Sequence, residues 1–142
     1  MNKSSSSTTP IHSVVVVESR AALPSSWLRP RGDVIVLSEI ESEEPEAFAQ
    51  RVIRAIVELT KSAPLTEVRL FTAQDRTETR LRARSRIARA LLAAMSSVPA
   101  ARITFVAKHD HSAQHDLFAL ADTVRTEASA NVSVCLNFQG AR

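Results

Sequence analysis

Residues 14–17 are four consecutive valines. A β-branched run without polar alternation fits a strand buried on both faces. Such a strand needs a neighbour on each side and cover above and below, so the chain must supply more strands and a helical layer. Three further short apolar segments supply the strands: residues 33–38 (DVIVLS), expected as a second buried strand, 67–72 (EVRLFT) and 102–108 (RITFVAK).

Helical periodicity fills the spaces between them. Over residues 45–61, Phe48, Val52, Ile56 and Leu59 recur on one face, with Ala49 and Ile53 beside them. Pro45 suits a first helical turn, the acids Glu39, Glu41, Glu43, Glu44 and Glu46 sit at the positive dipole end, and Pro64 follows the stop. A second helix is expected over residues 75–98. A third, over 112–129, carries Leu117, Leu120, Ala121, Val124 and Ala128 on one stripe. Residues 131–138 alternate Val132, Val134, Leu136 and Phe138 with polar or small residues, as a half-exposed edge strand does.

The sequence therefore predicts one α/β domain over residues 12–142, in the order β-β-α-β-α-β-α-β. Strands alternating with helices imply a largely parallel five-stranded sheet covered by three helices, with the last strand at an edge. Directions of the first and last strands stay open. The connection over residues 20–31 fits either a wide hairpin or a short crossover, with Trp27 and Leu28 expected to cover an open face of the core. Residues 1–11, rich in Ser and Thr, are expected to be a disordered tail.

The second helix carries an internal conflict. On a wheel at 100° per residue, Ala83, Ile87, Leu91, Ala94 and Val98 define its apolar face. Arg82, Arg86 and Arg89 lie opposite and are expected in solvent. Arg80 and Arg84 fall on the core side, near the helix N-terminus, where a cation opposes the macrodipole. In a parallel sheet that end of the helix stands above the carboxyl ends of the strands, where α/β folds bind ligands. Two readings follow. Arg80 and Arg84, helped by Lys108 or His109, could grip a phosphate or carboxylate. Alternatively Glu43, Glu44 or Glu46 neutralises the guanidiniums within the protein.

The segment HDHSAQH places His109 and His111 two apart and His115 one helical turn later, a spacing that could hold a divalent metal. It departs from the H-x-H-x-D-H motif of metallo-β-lactamase-like hydrolases at Ala113 and Gln114. No cofactor loop is expected. The chain has two glycines, Gly32 and Gly140, too few for a phosphate-cradling loop or a dinucleotide fingerprint. Cys135 is the only cysteine, which excludes an internal disulfide and fits a reduced, cytoplasmic setting. It is expected to pack within the last strand rather than to react. No apolar run approaches a membrane span. A net charge of +3 with five Phe, one Trp and no Tyr argues against nucleic acid.

From residue 31 onward the order of elements resembles the STAS domains of anti-sigma-factor antagonists, small partner-binding modules without a cofactor. Their phosphorylatable Ser or Thr lies in an Asp-Ser-Gly-like turn, where this chain reads TAQDRTETR, with Thr77 and Thr79 but no serine or glycine. The resemblance is one of layout, and implies a non-enzymatic regulatory or protein-interaction module that binds a protein partner or itself. The alternative is a small anion- or nucleotide-binding domain that uses the arginine-lined rim, assisted by a metal if the histidines hold one.

Overall fold

A computed structural model describes residues 12–19, 21, 34–108 and 111–139, without the side chains of 12 and 111–113. The expected tail, and the expected cover by Trp27 and Leu28, lie outside the described residues. The elements are β1 (His12–Val17), β2 (Val34–Ser38), α1 (Pro45–Ser62), β3 (Leu65–Thr72), α2 (Glu78–Met95), β4 (Ala101–Lys108), α3 (His111–Glu127) and β5 (Val132–Gln139). Their order is the predicted one.

The five strands form one sheet in the order β2-β1-β3-β4-β5, and every pairing is parallel. This excludes the hairpin between β1 and β2 and the antiparallel option for β5. β1 is central, as its valines require: Val14 to Val17 are all buried. β2 departs from expectation. Its apolar run reads as a buried strand, yet it is an edge, and Val36 is 41% exposed.

Register assigns the side chains to faces. Val14 pairs with Val68, Val68 with Ile103, and Ile103 with Val134, so these four share a face, joined two residues on by Val16, Leu70, Phe105 and Leu136. All three helices pack there. Phe48 and Ile56 of α1, Ile87 and Leu91 of α2, and Leu117 and Ala121 of α3 belong to one core with that row. This common side follows from handedness. The moves β2 to β3, β3 to β4 and β4 to β5 all run the same way across the sheet, and right-handed crossovers then put α1, α2 and α3 on one face. Burying Phe48, Phe105, Ile56, Leu65 and Leu91 contributes about 1.5–3 kcal/mol each.

The opposite face is divided. Near β1, Val15, Val17, Phe71 and Val106 form a second buried cluster, with Ala21 and Val34 against it. Toward β5 the same face carries Glu67, Arg69, Arg102, Thr104, Ser133, Cys135 and Asn137, and none of these is fully buried. At the far end, Asn131 donates to the carbonyls of Met95 and Val98, tying the turn after α2 to the start of β5.

The candidate site at the carboxyl rim

The chain leaves β1 toward β2 on one side and leaves β3 toward β4 on the other. The carboxyl ends of β1 and β3 are therefore the topological switch point of the sheet, the crevice in which α/β folds bind ligands. Because all strands are parallel, the ends of β1 to β4 and the N-terminus of α2 share this rim.

Arg80 and Arg84 do face inward, only 6% and 4% exposed. Thr77 caps the helix, its side chain accepting from the Arg80 amide at 3.3 Å. One turn apart, the two guanidiniums are delivered into the crevice, where carboxylates meet them. Arg84 binds Glu18 through two bonds, Nε to Oε2 at 2.6 Å and Nη2 to Oε1 at 2.8 Å, and donates to the Ala73 carbonyl at 2.8 Å. Glu18 also accepts from the Ala73 amide at 2.8 Å. Arg80 donates to Glu39 at 2.8 Å and to Asp75 at 3.4 Å. Glu39 in turn accepts from the Ser19 amide at 2.7 Å. The network thus joins the ends of β1, β2 and β3 to the first two turns of α2.

Internal pairing is as expected, and the acidic loop after β2 supplies one partner, Glu39, but Glu43, Glu44 and Glu46 do not neutralise these arginines. Glu43 instead binds Arg51, at 2.7 Å and 3.0 Å. Glu46 lies 3.9 Å from Arg86. Glu44 flanks α1 at its N-cap without a side-chain cap bond. The actual partners are Glu18 and Glu39, each following its strand by one residue and so aimed at the rim. A carboxylate directly after a buried β-branched run was the signal available in the sequence for Glu18. These acids also resolve the dipole conflict, since the cations near the N-terminus of α2 arrive neutralised.

The ionisation states follow. Burial pulls the Arg80 guanidinium down, but the hydrogen bond it donates to Glu39 and the charges of Glu18 and Glu39 outweigh it and hold its pKa above the ordinary value. The Thr77 amide, bound at 3.0 Å, is the main reason the Asp75 carboxyl sits below its usual range; burial opposes it, and the Thr77 hydroxyl and Arg80 add to it. Arg51 lowers Glu43 in the same way, chiefly by its hydrogen bond.

Above the network lies a cavity of about 560 Å³. Among the described residues its charged lining is four carboxylates, Glu39, Glu41, Glu43 and Asp75, against two cations, Arg80 and Lys108. Arg84 is not part of that lining. Lys108 is exposed at the end of β4. His109 lies outside the described residues, as does the side chain of His111, and His115 is exposed on α3. Among the described residues, no group of three His, Cys, Asp or Glu side chains could hold a metal ion.

Two of the outer arginines lie in solvent as the wheel predicts, Arg82 paired with Glu78 and Arg89 with Glu127, while Arg86 is half-buried and reaches Gln50. Arg76, at the helix entry, binds Asp116 of α3. No helix among the described residues is long and apolar enough to cross a membrane. No protein-family model matches the chain, and neither a curated protein nor a solved structure shows significant similarity to it.

Proposed function

We propose that this protein is a non-enzymatic regulatory or interaction module, acting in the cytoplasm by binding a protein partner or a second copy of itself. The observation that carries the reading is the occupied switch point. The crevice in which an α/β fold holds a ligand is bridged here by Glu18, Glu39, Arg80 and Arg84 of the chain itself. Its best cation, Arg84, spends three donors within the protein. Surfaces are what the fold then offers: two sheet edges, and the polar part of the sheet face opposite the helices.

The test is purified chain used as bait, with any captured protein required to capture this chain in return, and light scattering in parallel for self-association. Reciprocal capture or a concentration-dependent oligomer is expected. A monomer that captures nothing overturns the reading.

A second reading is favoured by the cavity, in which Arg80 and Lys108 face the same space. A small phosphate- or carboxylate-bearing ligand held there, with a divalent metal on His109, His111 and His115, is the alternative proposal. The described lining opposes it, with four carboxylates against two cations. A thermal-shift screen with phosphate, nucleotides and divalent metals decides it: a shift abolished in Arg80→Ala plus Lys108→Ala supports it, and no shift removes it.

A further inference from the structure

We propose that the outer edge of β5 is a self-association surface, at which a second copy of this chain adds its β5 antiparallel to the first. The inference rests on the interaction reading and names its partner.

Among the described residues β5 is last in the sheet and pairs with β4 alone. No described strand pairs with its outer row of backbone groups. Natural sheets blunt such edges with short strands, prolines or charged side chains. The opposite edge follows that rule by length, since β2 has five residues. β5 does not. It runs for eight residues, VSVCLNFQ, without a charge, a proline or a glycine. The edge is also apolar on its helical side: Phe118 of α3 is 47% exposed, with its ring 5.7 Å from that of Phe138.

Symmetry favours a copy of the same chain over a different occupant. A two-fold axis normal to the sheet and passing by Cys135 lays β5 antiparallel to itself, so that Cys135 faces Cys135 and Ser133 faces Asn137 of the second copy. A charged edge would then face like charge, whereas Ser133, Cys135 and Asn137 bring none. The exposed charges of α3 beside this edge come as a pair, Asp122 and Arg125 at 3.2 Å, neutral as a unit and complementary to the same pair turned round. Arg125 also donates to the Val134 carbonyl, at 3.3 Å from both Nε and Nη2. These bonds are long, and an arriving strand would compete with them using backbone donors.

The experiment is light scattering and sedimentation over a wide concentration range, up to high micromolar, on the full chain and on Ser133→Lys/Asn137→Lys. Both positions are exposed, so the variant keeps the fold, with circular dichroism and thermal melting as the check. The expected result is a dimer for the natural chain and a monomer for a folded variant, whose lysines meet across the axis. A natural chain that stays monomeric overturns the inference, and so does a variant that still dimerises. A monomer that reciprocally captures another protein overturns this inference alone and leaves the interaction reading standing.

Discussion

Replacing Arg84 by Met tests the buried network most directly. Met fills much of the arginine stem's volume, so the main loss is charge and hydrogen bonding. Glu18 stays 4% exposed with one backbone donor, the Ala73 amide, and the Ala73 carbonyl loses its guanidinium. Removing one partner of a buried ion pair destabilises by about 3–5 kcal/mol, because the other charge is left uncompensated. Against a total stability of about 5–15 kcal/mol, the variant is weakened severely. Two to four degrees per kcal/mol then gives a fall in melting temperature of about 6–20 °C. Glu18→Gln on top of Arg84→Met restores part of the loss: glutamine removes the stranded charge but keeps an acceptor for the Ala73 amide. Urea unfolding at neutral pH, followed by circular dichroism, measures the parent, Arg84→Met, Glu18→Gln and the double variant. A loss below about 1 kcal/mol for Arg84→Met would refute the argument that this pair is tightly buried and coupled. So would a double variant no more stable than the single one.

Two further outcomes follow from the same rim. Asp75 has its pKa depressed on folding, so its contribution to stability is present above the ordinary aspartate range and is lost as pH falls through the lowered folded value. Asp75→Asn should therefore be less stable than the parent at neutral pH, with the gap closing in acid; urea midpoints across a pH series that show a constant gap would contradict this. Thr77→Ala removes the cap of α2 and should cost about 1 kcal/mol, while Thr77→Ser should not. Equal stability of the alanine and serine variants would show that the cap contributes nothing.

Much of this architecture is legible in the residues, for reasons that can be stated. Four adjacent valines admit few environments, and β1 is central as they demand. The wheel of α2 separates Arg80 and Arg84 from Arg82, Arg86 and Arg89 because side-chain direction on a long helix is fixed by 100° steps. Strand direction is different. Alternation of side chains is the same in parallel and antiparallel pairs, so nothing in VSVCLNFQ distinguishes them. Likewise VIVLS reads as a buried strand because its composition is apolar, yet the order of strands, a tertiary property, makes it an edge. The partners of the arginines were hidden by distance along the chain. Glu18 and Arg84 are 66 residues apart, and Glu39 and Arg80 are 41 apart. The acidic loop leaving β2 points instead to Glu43, Glu44 and Glu46, whose positions on that loop and at a helix entry direct them elsewhere.

The same long separations give the network a kinetic role. Its two long-range ion pairs join Glu18 and Glu39, just after β1 and β2, to Arg84 and Arg80 of α2, so neither can form until α2 has docked against those strand ends. Bonds of that kind close late in folding, after the entropy of long loops has already been lost. Interactions absent from the transition state hardly change the folding rate and chiefly slow unfolding. The four buried charges thus act as a latch, setting how long the closed domain lasts rather than how quickly it is reached.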